Sequence, residues 1–135
     1  MEDFPFFPSP ALPEDEVRRF GTLELAYIGD SVFDVYVRGM LTLQGHKAGD
    51  MHHRAVAAVN AHAQAATLEQ LRPLLTPAEE AVVRRGRNTH VHHAAPKGVS
   101  HQEYSGATAL EALIGYLFLT GQAERLNELL RRISI

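Results

Sequence analysis

An apolar stretch from Tyr104 to Gln122 contains a single charged residue, Glu111. The stretch is long enough to cross a membrane. It also carries glycines and threonines, and no second apolar stretch of similar length is present to pair with it. A charged residue inside a membrane span is costly. We therefore interpret this stretch as a helix buried in the core of a globular protein, and we expect no membrane association.

The chain has 135 residues, of which 45% are apolar and 21% are charged, and it contains no cysteine. This length and composition predict one globular domain with one core. The absence of cysteine excludes a disulfide-stapled scaffold and a Cys-ligated zinc or iron–sulfur site. The first residues combine two acids with several prolines, which is unlike a secretory signal. We therefore expect a cytoplasmic protein.

Helical patterns dominate the chain, whereas alternating strand patterns and hairpin turns are nearly absent. We predict a proline-rich N-terminal arm over residues 1–15 and a single helical domain over residues 16–135. Five helices are expected, over about 22–43, 50–71, 76–87, 100–120 and 122–133. Capping residues predict three of the helix starts: Asp50, Thr76 with Glu79, and Ser100 with Glu103. Short connections between these helices predict an all-α bundle.

Two carboxylates lie in the two most apolar predicted helices. Asp30 lies in the run LAYIGDSVFDVY of the first helix, and Glu111 lies in ATALEALIGYLFL of the fourth. An ionised carboxylate in apolar surroundings costs several kcal/mol unless it is paired, hydrogen-bonded or bound to a metal. Gly29 and Gly115 would let the two helices approach closely. One interpretation is therefore that Asp30 and Glu111 face each other and share a divalent cation.

Oxygen ligands without cysteine favour magnesium, for which manganese can substitute. Magnesium keeps most of its waters, so that two carboxylates suffice to hold it, and it suits phosphodiester hydrolysis. The alternative is that Asp30 is a half-exposed helix acid and that Glu111 pairs with a distant arginine. Asp34 follows Asp30 by one turn and would either lie at the surface or support the site through a neighbouring group.

A local excess of basic residues interrupts a chain whose net charge is −3. Between residues 84 and 104, Glu103 alone opposes three arginines, one lysine and four histidines. Such a patch on an acidic protein indicates a phosphate-bearing partner. The candidate phosphate contacts are Arg84, Arg85, Arg87, Asn88 and Lys97. Asn88 could equally be a helix C-cap, and the neighbouring histidines His90, His92 and His93 are more typical of a solvated loop than of a metal site.

A smaller basic group lies near the start of the second predicted helix, at Lys47, His52, His53 and Arg54. Its position at a helix N-terminus would also favour a phosphate. Arg38 fits either contact with such a partner or a structural ion pair.

Four ordered motifs carry a resemblance: LAYIGDSVFDVYVR (25–38), RRGRN (84–88), APKG (95–98) and YSGATALEALIGYLFL (104–119). Together they resemble the catalytic domain of the ribonuclease III family, and within it the Mini-ribonuclease III branch. The resemblance implies an all-α endonuclease for double-stranded RNA that works as a homodimer with magnesium. Asp30 and Glu111 would then be both catalytic residues and metal ligands.

Two positions depart from the full-length ribonuclease III pattern, since Ala26 and Thr108 stand where that pattern has acids. Both substitutions resemble the Mini-ribonuclease III branch, and they leave two charged ligands for each site. No double-stranded-RNA-binding domain is recognisable, so we expect the basic segment of the catalytic domain to hold the substrate.

The resemblance also implies maturation of the 23S ribosomal RNA precursor, with a ribosomal protein on the substrate as a further candidate partner. A homodimer has a physical motive too, because the first and fourth helices are apolar nearly all round. One alternative is a non-catalytic helical RNA-binding or ribosome-associated module, which would gain nothing from carboxylates near a phosphate backbone. Another is a helical phosphohydrolase acting on nucleotides, which usually needs several histidine ligands within its helices.

Overall fold

The computed structural model describes residues 6–8, 10–89, 97–133 and 135. The helices are α1 (Glu14–Val17), α2 (Thr22–Leu43), α3 (Ala48–Val59), α4 (Ala61–Leu71), α5 (Pro77–Arg87), α6 (His101–Leu119) and α7 (Ala123–Leu130). A 3₁₀ turn, Arg72–Leu74, follows α4 directly. No strand occurs in these ranges, which confirms the predicted all-α fold.

The helix α6 runs through the centre of the bundle and packs against α2, α4, α5 and α7. Residues 106–110 and 112–118 of this helix are all buried. The apolar stretch from Tyr104 to Gln122 is therefore core, as predicted. In the ranges given above, no helix is both long and apolar enough to span a membrane.

The predicted helix starts at Thr76 and Ser100 are confirmed. Each hydroxyl accepts the backbone N–H three residues later, and each glutamate there, Glu79 or Glu103, accepts the N–H of the capping residue in return. These reciprocal bonds satisfy two backbone donors that the first helical turn leaves unpaired.

The predicted second helix is wrong in two respects. It is two helices, because Asn60 adopts an extended conformation between α3 and α4. The Asn60 amide nitrogen donates to the carbonyl oxygens of Val56 and Ala57, and its amide oxygen accepts the N–H of Ala63. One side chain thereby ends α3 and begins α4. The N-cap of α3 is Lys47 rather than Asp50, which lies in the first turn.

The N-terminal segment packs on the carboxyl-terminal half of α6. Phe6 and Phe7 contact the ring of Phe118. The N–H of Leu12 donates to the Leu119 carbonyl oxygen at 3.2 Å. The short helix α1 was not predicted, and residues 1–5 and 9 of the predicted arm lie outside the described ranges.

Candidate active site

The backbones of α2 and α6 touch where the two helices cross. A Cβ atom on Gly29 would overlap the backbone carbonyl oxygen of Glu111, and a Cβ atom on Gly115 would overlap that of Leu25. Glycine is therefore required at both positions. Because Gly29 precedes Asp30 and touches Glu111, the crossing places the two acidic residues side by side.

The carboxyl groups of Asp30 and Glu111 meet at this crossing. Asp30 is exposed, whereas Glu111 is partly buried among the buried residues of α6. Burial, followed by hydrogen bonding with Asp30 and the negative charge of Asp30, raises the pKa of Glu111 to about 8. A pKa raised in this way favours the protonated form of Glu111, which can donate its proton to the Asp30 carboxylate when no cation is bound. The predicted convergence of the two side chains is therefore observed.

The chemistry of the pair fits a hard divalent cation. Two carboxyl groups offer oxygen ligands, and neither forms an ion pair with an arginine or lysine in the part of the chain that the structure describes. Of the alternative interpretation, the exposed position of Asp30 is observed, whereas a pairing of Glu111 with a distant arginine is not. The same part of the chain contains no group of three or more His, Asp or Glu side chains that could hold a metal ion together. A cation here would keep several waters, as magnesium prefers.

The two departures from the full-length pattern add no ligand. Ala26 and Thr108 are both buried, at 8% and 6% exposure. The Thr108 hydroxyl donates to the Tyr104 carbonyl oxygen at 3.0 Å, so this side chain is engaged by its own helix. The candidate site therefore gains no further ligand from these two positions, and its two carboxyl groups are those of Asp30 and Glu111.

The three arginines of the predicted phosphate-binding segment differ in their surroundings. Arg85 donates to the carbonyl oxygens of Arg18 and Phe20, at 2.9 and 3.4 Å, and so ties α5 to the link before α2. Arg87 pairs with Glu69 of α4 at 2.8 Å. Arg84 is exposed and has no ion pair within the described ranges. Among the three, Arg84 is the most available for a phosphate.

The remaining predicted contacts follow α5. Asn88 is the C-cap of α5 in a right-handed conformation, and its side chain is exposed. Lys97 is exposed and precedes Gly98, whose φ of +84° favours glycine. His90, His92 and His93 lie outside the residues that the structure describes.

Two further polar contacts involve Arg38 and His62, and the first is the ion pair that was one of the two interpretations of Arg38. The Asp34 carboxylate pairs with the Arg38 guanidinium at 3.0 Å, one turn after Asp30. Their spacing of four residues on one helix was a usable signal. His62 pairs with Glu103 and joins α4 to the start of α6, and this hydrogen bond lowers the pKa of Glu103. These two residues are far apart in the chain, so no local pattern indicates that they meet.

A family model described as the Ribonuclease III domain matches residues 23–122. The chain belongs to the ribonuclease III family. The Mini-ribonuclease 3 of Symbiobacterium thermophilum is 49% identical to it over 110 residues, which are 81% of this chain and 84% of that protein. The Mini-ribonuclease 3 of Synechocystis is 40% identical over 137 residues, which cover 100% of this chain and 94% of that protein.

A solved structure has a similar fold. The chain is similar to a protein of Fusobacterium nucleatum with an X-ray crystal structure, with a TM-score of 0.77 and 26% sequence identity. The similarity covers 86% of this chain and 93% of that one.

Membership of the ribonuclease III family confirms the predicted resemblance and makes the chain an endoribonuclease. It favours the enzyme over the non-catalytic RNA-binding module and over the nucleotide phosphohydrolase. The matched range contains Asp30, Glu111 and all five predicted phosphate contacts. The roles of these individual residues stay predictions.

Proposed function

We propose that this ribonuclease III family protein is a magnesium-dependent endoribonuclease that cuts both strands of an RNA duplex. The observation that carries the proposal is the pairing of Asp30 with Glu111 at the crossing of α2 and α6. Two acids beside each other repel a phosphate backbone unless a cation lies between them and the RNA. The pair is therefore better suited to hold a catalytic cation than to bind RNA directly.

Asp30 and Glu111 would hold the cation, which when bound supplies an activated water and neutralises charge on the phosphoryl oxygens. Glu111 would release its proton as the cation binds, because a ligating carboxylate must be ionised. The exposed position of Asp30 leaves room for water and for a phosphate on the solvent side. Manganese prefers similar oxygen donors and should substitute for magnesium.

The duplex would be held by the basic segment formed by the last turn of α5 and the residues that follow it. Arg84 and Lys97 are exposed and offer their charge to phosphates. Arg85 and Arg87 are engaged within the protein and would contribute mainly by fixing this surface. Asn88 presents an exposed amide, which can donate to a phosphate or a 2′-hydroxyl.

We further propose that the active form is a homodimer. The apolar surface of α6 does not require a partner, because other helices of the same chain cover it. The argument for a dimer from the apolar character of the fourth predicted helix was therefore wrong. The amino-terminal half of α2 supports a dimer better, since Leu23 and Tyr27 are 47% and 83% exposed. A two-fold dimer through this helix would bring two Asp30–Glu111 pairs to one duplex.

The natural substrate we propose is the 23S ribosomal RNA precursor, with cleavage in the cytoplasm. The support for this substrate is the resemblance to the Mini-ribonuclease III branch. A ribosomal protein bound to the substrate stays a predicted partner.

The decisive experiment is cleavage of a labelled RNA duplex by the purified protein. Magnesium should support cleavage, and a chelator should stop it. Asp30→Asn and Glu111→Gln should each lose cleavage, because each removes one of the two ligands. Glu124→Gln is a matched control, since Glu124 is an exposed acid of α7.

Two results would contradict the proposal. Degradation of single-stranded RNA with the duplex left intact would exclude a double-strand-specific enzyme. Full cleavage by either ligand variant would remove that residue from the site.

A further inference from the structure

Three residues on successive turns of α2 form an exposed row that leads away from the candidate active site. Asp30, Asp34 and Arg38 are spaced four residues apart, so they lie on one side of the helix. With a rise of 1.5 Å per residue, Arg38 lies about 12 Å along the helix from Asp30. Its side chain is 70% exposed. A positive charge thus lies on the same helix face as the acidic pair, at the far end of the row.

Asp34 orients this arginine. Its carboxylate forms an ion pair with the Arg38 guanidinium, with Nε at 3.0 Å. Neither terminal nitrogen of the Arg38 guanidinium has a hydrogen-bond partner within the described ranges. The pair therefore restrains the arginine and leaves two nitrogens of its fork for another oxygen acceptor.

Arg38 also lines a cavity of about 290 Å³ between α2 and α3. The other lining residues are Thr42, Ala48, Met51, His52 and Ala55. Ala48 is the first residue of α3, and the N-cap Lys47 makes no side-chain bond to that helix start. The positive end of the helix dipole and the His52 ring thus face the same space as the guanidinium.

No acid lines this cavity, although Asp34 contacts Arg38 from the side of the active site. An arginine fork, an imidazole and a helix N-terminus together favour a phosphate. A cavity without carboxylates in its lining does not favour a cation. An RNA strand whose scissile phosphate lies at Asp30 and Glu111 could continue along α2 and reach this cavity. The alternative is that Arg38 only forms a surface ion pair with Asp34 and that no ligand binds in the cavity.

We propose that Arg38 binds a backbone phosphate of the RNA duplex in this cavity, about 12 Å along α2 from Asp30. His52 and the start of α3 complete the phosphate site, and Asp34 is a positioning residue that acts through Arg38. The inference rests on the proposed function and adds a second contact surface to the segment that follows α5.

The test measures equilibrium binding of a blunt RNA duplex in chelator, over a range of salt concentrations. Arg38→Gln should weaken binding about tenfold. The plot of log K against log salt should become less steep, by about one unit of slope for each Arg38 that contacts a phosphate. Arg38→Lys should keep the wild-type slope with intermediate affinity, because it keeps the charge and loses the fork.

Asp34→Asn separates orientation from charge. It should weaken binding several-fold while the salt slope stays at the wild-type value, because the arginine keeps its charge and loses its restraint. In cleavage assays with magnesium, Arg38→Gln should raise KM and leave kcat close to wild type. Arg132→Gln is the matched control, since Arg132 is an exposed arginine after α7. It should change neither affinity nor slope.

The outcomes separate the two proposals. If wild type binds and cuts the duplex while Arg38→Gln and Arg38→Lys both match its affinity and slope, the phosphate site is overturned and the proposed function stands. If wild type neither binds nor cuts the duplex, the proposed function fails first. Thermal melting of Arg38→Gln should match wild type, because the side chain is mostly in solvent. If Arg38→Gln melts at a lower temperature than wild type, the RNA affinity of Arg38→Lys decides instead. An affinity below wild type supports the phosphate site, and an affinity equal to wild type overturns it.

Discussion

Replacing Glu111 by glutamine should stabilise the cation-free protein at alkaline pH, although it should abolish cleavage. In the folded chain the pKa of Glu111 is raised to about 8, mainly by burial and further by Asp30. In the unfolded chain this carboxyl group ionises at its ordinary pKa of about 4.3. Between these two values the folded state binds more protons than the unfolded state. The free energy of unfolding therefore falls as pH rises through this window.

The size of the effect follows from the same pKa. A change of one pH unit corresponds to about 1.4 kcal/mol, so the full window is worth about 5 kcal/mol. Asp30 is exposed and Glu111 is only partly buried, so water screens part of this penalty. We therefore expect about 2–3 kcal/mol in a measurement. Glutamine cannot ionise and removes the penalty entirely.

Chemical denaturation in chelator, at about pH 5 and about pH 8.5, measures this difference. Glu111→Gln should differ little from wild type at the lower pH and should be clearly more stable at the higher pH. Glu124→Gln removes the same charge from the exposed surface of α7 and should show no such change with pH. Adding magnesium at the higher pH should stabilise wild type and leave Glu111→Gln almost unaffected, because the cation replaces the shared proton.

A stability difference that is the same at both pH values would refute this reasoning. So would a Glu111→Gln variant that is less stable than wild type at the higher pH. In either case the two carboxyl groups do not share a proton at the helix crossing.

Gly29→Ala should destabilise the fold by several kcal/mol, because its Cβ would overlap the Glu111 carbonyl oxygen. Gly39→Ala, in the same helix with no neighbouring atom within 4 Å, should stabilise by about 0.5–1 kcal/mol, and thermal melting compares the two. Arg85→Ala should lower the melting temperature without changing the salt slope of RNA binding, whereas Arg84→Ala should lower the slope and leave melting unchanged; the reverse pattern would exchange their roles. Tyr27→Glu should turn the proposed dimer into monomers in sedimentation experiments, and a wild-type monomer would contradict the dimer.

Local signals in the sequence were sufficient for most of the fold. The capping boxes at Thr76 and Ser100 act within four residues, so their bonds can be recognised without knowing the tertiary structure. The break at Asn60 was missed because the alanine-rich pattern continues on both sides of it. The asparagine itself was the available signal, since its side chain can accept and donate to backbone groups at both helix ends.

The acidic pair was predictable for a different reason. Glu111 is an isolated charge in an apolar helix, and such a charge needs a partner. Asp30 is exposed, and its neighbour Gly29 signals the close approach that brings it to Glu111. The contacts of the arginines could not be predicted in this way. Arg85 reaches the carbonyl oxygens of Arg18 and Phe20, and Arg87 reaches Glu69 on another helix. Those partners become neighbours only when the bundle forms, so a basic run alone does not reveal which charges stay available to a ligand.

The central position of α6 links activity to the cooperativity of folding. Glu111 belongs to the helix against which four others pack, so its backbone amide can reach solvent only when most of the bundle opens. Native-state hydrogen exchange at Glu111 should therefore report the global free energy of unfolding. Asp30 itself reaches the solvent, but Gly29 beside it lies against α6. The Asp30–Glu111 pair thus lies on the last part of the molecule to unfold, so the geometry of these two carboxyl groups should persist until the protein as a whole melts.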